Sequence, residues 1–284
     1  MKRILIFSIL TLIGMANLTS ATIMQSSSFQ VLNLPSDAPQ IARQIFDKHT
    51  SVFGVDIFAT SSTSNEKIFH AANMMAEYLD NDEDGNVDNP LVIEAMTRRN
   101  AALIMFETEN EFEDLFEKIE DTPGAEEVFQ SWQTLFDEES LPNGASFGEF
   151  DATLEEVLHL ISQFGYANAY PDAFGENPGT LLTDAMDVAR GGRFFNVPNR
   201  YPANAWYTYD DRTCEYNCMA AEYFYWALTS LLDGQNFPGR FEEINHEWRL
   251  NTPEKLRTGD LLIYDLLTDP TYNLPTVLPD GVYR

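Results

Sequence analysis

Basic residues are scarce. The 284-residue chain sets 17 lysines and arginines against 45 aspartates and glutamates, a formal charge of -28. A polyanion gains affinity by having its phosphates neutralised, so this balance excludes nucleic acid as a partner. Cysteine is almost missing too, with Cys214 and Cys218 the only two. Without a second pair, their Cys-x-x-x-Cys spacing does not make a zinc site. In an oxidising compartment they can pair, and so small a loop contributes only ~2 kcal/mol in the chain-entropy model; two free thiols are the alternative. There are four histidines, and none accompanies a recognisable nucleophile elbow, which argues against a serine or cysteine hydrolase. Beyond the first fifteen residues no apolar run approaches the ~20 needed to span a bilayer. Linkers, low-complexity tracts and internal repeats are absent as well.

What is present begins with a basic pair, Lys2 and Arg3, then an apolar run from Ile4 to about Met15 and small polar residues up to Ala21. This pattern predicts a signal peptide over residues 1–21 and a protein that is secreted, periplasmic or extracellular after its removal. Residues 1–21 carry no acid, so residues 22–284 hold 15 basic and 45 acidic residues, a formal charge of -30. Such charge suits cations and solubility. It does not reflect disorder, because a chain that is 44% hydrophobic can fill a core. One domain over 22–284 is expected.

The fold class expected is α+β, mainly helical with a small sheet early in the chain. Helices are predicted over Ser36–His49, from the Thr63/Glu66 capping box to Leu79, over Pro90–Arg98, Glu109–Ile119, Glu126–Phe136, Thr153–Ile161, Leu181–Ala189, Cys214–Leu232 and Pro253–Leu267. Strand character falls on Ser51–Thr60 and Ala101–Glu107. On the helix ending at Leu79, residues Ile68, Ala71, Ala72, Met75 and Leu79 form the apolar face, whereas Glu66, His70, Asn73 and Glu77 form a polar stripe, either solvated or lining a cleft. The proline-punctuated tail, residues 268–284, reads as extended over the surface.

The clearest motif is Asp-Asn-Asp-Glu-Asp-Gly-Asn-Val-Asp, residues 80–88, within a loop at 80–91. Alternate carboxylates Asp80, Asp82 and Asp84 can converge on one calcium ion while Gly85 permits a sharp turn. Asn86 would add its carbonyl, and Asp88 would bind directly or through water. The loop resembles an EF-hand or dockerin-type calcium loop, except that Leu91 stands where an EF-hand has its last glutamate. Glu94, one helical turn on, is the replacement considered, and a structural calcium site is the expectation.

The other motif is Thr-Leu-Glu-Glu-Val-Leu-His-Leu-Ile, residues 153–161, which has two readings. One reading is purely structural, with Thr153 and Glu156 as a capping box and Glu155 favoured by the helix dipole. The other is chemical. Glu155 and His159, four apart, share a helix face and can grip one cation, with Glu156 nearby as base. Glu222 is the best further ligand, because its helical neighbours are Cys218, Met219, Tyr225 and Trp226 and a carboxylate buried among them needs a partner. At these residues the chain resembles a zincin-like metallopeptidase whose third zinc ligand is a glutamate on a later helix. The resemblance implies zinc as cofactor, Glu156 as general base, His159 and Glu222 as ligands, and Glu155 in place of the missing histidine.

Two alternatives stand beside it. A non-catalytic, calcium-stabilised extracellular binding protein keeps the scaffold without the chemistry. A di-iron helical protein would use Glu77, Glu156 with His159, Glu222, and Glu243 with His246. Residues 188–209 hold no acid but contain Arg190, Arg193, Trp206 and Tyr207. These are the candidate contacts to a small-molecule, peptide or glycan substrate, since arginine forks bind carboxylates and aromatic rings stack on ligands. In the alternative they neutralise the protein's own carboxylates and pack its core.

Overall fold

The computed structural model describes residues 29–119, 122, 125 and 130–284. The expected signal peptide and the start of the helix expected over Glu126–Phe136 lie outside them. The architecture is α+β: helices and a five-stranded mixed sheet in sequential order β1 (Leu32–Asn33), β2 (Lys48–Val52), β3 (Val55–Ala59), β4 (Ala102–Phe106) and β5 (Trp132–Phe136). The first three strands run antiparallel and the last three parallel.

Parallel neighbours need long crossovers. The β3-to-β4 connection contains α2 (Asn65–Leu79) and α3 (Pro90–Arg98), and the β4-to-β5 connection contains α4 (Glu109–Ile119). A single turn, α1 (Ala42–Ile45), precedes β2. Downstream lie α5 (Thr153–Leu160), α6 (Leu181–Ala189), α7 (Tyr216–Leu231), α8 (Arg240–Ile244), α9 (Pro253–Gly259) and α10 (Leu261–Leu267).

The sheet divides two cores, because successive side chains along a strand point to opposite faces. Ile57, Ala59, Leu103 and Met105 join the main core with α2, α5 and α7. Phe58, Ala102, Ile104 and Phe106 face a smaller one closed by residues 38–46 and Trp132. Burial on both faces explains why β4 reads as an unbroken apolar run.

Three expectations fail on strand pairing. Ser51–Thr60 is a hairpin turning at Phe53-Gly54 rather than one strand, and β2 already begins at Lys48. His49 is therefore not at a helix end: its Nε2 meets Asp56 Oδ1 across the hairpin at 2.8 Å. Residues 132–136 pair with β4 as a strand instead of continuing a helix. Trp132 and Leu135, three apart, have helical spacing, but in the strand they lie on opposite faces, Trp132 in the smaller core and Leu135 in the main one.

The predicted face of α2 is buried throughout, but its cap is Ser64, not Thr63. The helix expected over Pro253–Leu267 is two helices, interrupted at buried Asp260. That side chain caps α10 and also accepts hydrogen bonds from Trp206 Nε1 at 2.7 Å and the Tyr223 hydroxyl at 2.6 Å. Helix α7 is apolar on nearly every side, as befits a helix buried all round. Its first turn is tied by the Cys214–Cys218 disulfide, with Cα atoms 5.4 Å apart. Among the described residues no helix is long and apolar enough to cross a membrane.

Candidate metal centre

Helix α5 does not begin with the Thr153/Glu156 capping box. Ala152 holds the cap position, the Thr153 N–H donates to Asp151 Oδ1 at 3.1 Å, and the Thr153 hydroxyl pairs with Ser140 Oγ at 2.8 Å. Glu156 is thus left free to accept a hydrogen bond from the Gln133 side-chain amide on β5. Immediately after α5 the chain widens into a π-helical segment, Ile161–Tyr166, a local irregularity that often accompanies functional sites.

Glu155 and His159 on α5 meet Glu222 on α7. Each offers one ligand atom, and the three atoms lie within 4.8 Å of one another. His159 Nε2 stands 3.8 Å from Glu222 Oε2, and its Nδ1 stands 3.7 Å from Glu156 Oε2. His159 is 6% exposed, and its Nε2 has no hydrogen-bond partner among the described residues. Such an orphaned buried nitrogen is costly unless something binds it. The Tyr225 ring, edge-on at 5.7 Å, fixes the plane of the imidazole.

Electrostatics agree with a cation-seeking site. Burial, then the charge of Glu222, pushes Glu155 up to about 8, and burial likewise raises Glu222. For His159, burial alone would expel the proton, but Glu222 and then Glu156 and Glu155 outweigh it and hold the imidazolium up to about 10. Glu176, which the sequence reading missed, is raised to about 7 by burial, partly offset by His159 and Gln163. It lines a cavity of about 280 Å³ with Asn177, Asn196, Tyr216 and Asn217. No motif marks Glu176, and only its placement near His159 gives it meaning.

One imidazole and two carboxylates are donors that could hold a metal ion. Around a tetrahedral ion with ~2.1 Å bonds, ligands sit about 3.4 Å apart, so the 3.8 Å pair needs little closure.

In the acidic loop, Asp80, Asp82 and Asp88 come within 4.8 Å of one another, and Asp84 is not in that group. Asp84 Oδ1 accepts instead from the Asn86 N–H at 2.8 Å and its side-chain amide at 3.0 Å. Asp80 is fully buried, with Oδ2 accepting from the Gly85 N–H at 2.8 Å. Gly85 holds φ at 88°, the left-handed turn that the motif requires. Glu94 does not replace the missing last ligand, since it points along α3 to Arg98 at 3.6 Å, and Leu91 is exposed.

Glu77 and Glu243 stay apart from His159. Glu77 accepts from the Gly281 N–H at 2.7 Å, and Glu243 pairs with Arg240 at 3.1 Å on one-turn α8, so the di-iron set is not assembled. His246 falls just beyond α8 and groups with Asp210 and Glu247 at the surface.

Of the four arginine and aromatic candidates, Arg190 and Tyr207 are fully buried. Arg190 has its guanidinium on Asp187 at 3.0 Å and over the Tyr216 ring at 5.1 Å. Tyr207 donates to the Met219 carbonyl at 2.7 Å. Neither side chain can line a cleft. Arg193, half exposed, binds Asp187 at 2.6 Å and Asp184 at 3.3 Å, and Trp206 is spent on Asp260. These four brace α6, α7 and α10 against one another. Compared with known proteins, the chain matches no family model, and no curated protein or solved structure shows significant similarity to it.

Proposed function

We propose that this is an exported, calcium-binding, metal-dependent hydrolase whose centre is zincin-like and built from Glu155, His159 and Glu222. The observation that carries the reading is the buried His159 Nε2, without a hydrogen-bond partner among the described residues, on an imidazole that carboxylates of two helices approach. Calcium is assigned to Asp80, Asp82 and Asp88, whose all-oxygen donors suit a hard cation. Export accords with the disulfide, since such bonds persist in oxidising compartments.

Zinc at the centre would supply a bound water acidified towards neutrality. Within the chain, Glu156 stands on the opposite ring nitrogen from Glu222, so it orients the imidazole rather than attacking as a base. Glu176, raised to about 7, has a pKa matched to proton transfer near neutral pH. Its cavity, rich in asparagine amides, is the place for a polar substrate.

Elemental analysis of purified protein tests the assignment. One zinc and one calcium per chain is expected, and Glu222→Gln should lose the zinc while keeping the calcium. Calcium alone in the unaltered protein would leave the non-catalytic binding protein as the better reading, and iron would reject zinc.

A further inference from the structure

Along the polar stripe of α2, Asn73 and Glu77 are covered by the C-terminal tail, His70 borders a cavity of about 210 Å³ and Glu66 stays exposed. Asn73 donates its side-chain amide to the Gly281 carbonyl at 3.0 Å, and Glu77 accepts from the N–H groups of Gly281 at 2.7 Å and Asp280 at 3.3 Å. The approach is so close that a Cβ on Gly281 would fall 2.4 Å from the His70 ring, and φ there is 79°. Only glycine permits this path.

From α2 the same tail continues around the acidic loop. Asn81 Oδ1 accepts from the Thr276 and Val277 N–H groups, both at 2.9 Å, while its amide donates to the Val277 carbonyl at 2.9 Å. Asn273 donates to the Asp88 carbonyl at 3.0 Å. Arg284 reaches Glu83 through its backbone N–H at 2.9 Å and its guanidinium at 3.1 Å. Finally, the Tyr283 hydroxyl donates to Asp80 Oδ2, the oxygen that also takes the Gly85 N–H. Asp80 Oδ1 has only a 3.2 Å contact from the Asp84 N–H. One oxygen of the first loop carboxylate is therefore held by the tail while the other is left for an ion.

We infer that residues 273–284 form a strap that is a working part of the calcium site, with Tyr283 as the positioning residue of Asp80. Calcium binding and strap docking are then one coupled equilibrium. The inference rests on the calcium reading of the loop. Outer partners that orient a ligand carboxylate typically change metal affinity ~10- to 100-fold when removed. Linkage requires the reverse as well: if the docked strap strengthens calcium binding, calcium must strengthen docking by the same factor.

The experiment uses the full chain and Tyr283→Phe, with calcium chloride as the probe. Calorimetric titration after chelation should show the calcium Kd rising ~10-fold or more in the variant. Hydrogen exchange on the unaltered protein should show the amides of Val277 and Gly281 slowing when calcium is added. Calcium binding of the same strength in both proteins, or strap amides indifferent to calcium, overturns the coupling while leaving calcium in the loop. An unaltered chain that takes up no calcium at millimolar concentration overturns the calcium reading itself. Because the exchange measurement needs no variant, the inference stays testable even if Tyr283→Phe folds poorly.

Discussion

The two cation-competent regions are built in opposite ways. In the acidic loop, Asp80, Asp82 and Asp88 come from nine consecutive residues, and hydrogen bonds within the loop already shape it. At the His159 centre, one turn of α5 supplies two candidate ligands, and the third comes from α7, 63 residues after His159, with no hydrogen-bond partner for Nε2 among the described residues. The loop is shaped by its own hydrogen bonds and brings three carboxylates together locally. The centre depends on tertiary packing, and its ligands are also part of the core. Losing a ligand should accordingly have different consequences in the two places.

The largest effect is expected at the centre. His159→Ala leaves Glu155 and Glu222 buried against each other without the imidazolium that compensates them. Breaking a buried charge set in this way typically costs about 3–5 kcal/mol. Denaturant unfolding in chelator should show a loss of that size, whereas Asp82→Asn, at an exposed loop position, should leave chelated stability nearly unchanged. Equal losses in the two variants would abolish the distinction between a core site and a surface loop.

A smaller effect sharpens the account of the centre alone. Gln133→Leu removes the donor that holds Glu156, which in turn faces His159 Nδ1. The zinc dissociation constant should rise ~10-fold or more, measured by competition with a chromophoric chelator, with calcium affinity unaffected. An unchanged zinc affinity would show that Glu156 does not orient the imidazole and would restore it as a candidate base.

The same contrast decides what could be read from the sequence. The loop was legible because its ligands and its glycine are neighbours in the chain. Even so, Asp84 was assigned to the ion on pattern alone, and it lies outside the group that Asp80, Asp82 and Asp88 form. For the centre, helical spacing placed Glu155 and His159 on one face, and the apolar neighbours of Glu222 marked it as a carboxylate in need of a partner. The side of the imidazole that Glu156 occupies could not be read, because it depends on Gln133 in a strand that the sequence disguised as a helix. For the segment 188–209 two readings stood open, and the side-chain partners favour the second: composition shows that the segment lacks acids, but not that Asp184 and Asp187 stand beside Arg190 and Arg193 and Asp260 beside Trp206. Glu176 and the strap are purely tertiary, and nothing in the spacing of residues 273–284 points to α2.

The smallest expected effect tests whether the strap is tied to α2 as well as to the loop. Burial under the strap raises Glu77 from 4.5 to about 7, opposed by the Gly281 N–H that it accepts. Below about pH 4.5 the carboxyl is protonated in folded and unfolded chains alike, and between there and about 7 only the folded chain keeps the proton. The folded state binds more protons across that window, so its stability falls as pH rises, and the contribution of the protonated form is lost above about 7. Glu77→Gln, which keeps an acceptor for Gly281 but cannot ionise, should flatten this decline in chelator. Unfolding midpoints at intervals from pH 4 to 8 would show it as a reduced slope. If the slope is unchanged, Glu77 is ionised beneath a strap that does not bury it, and the strap's hold is confined to the acidic loop.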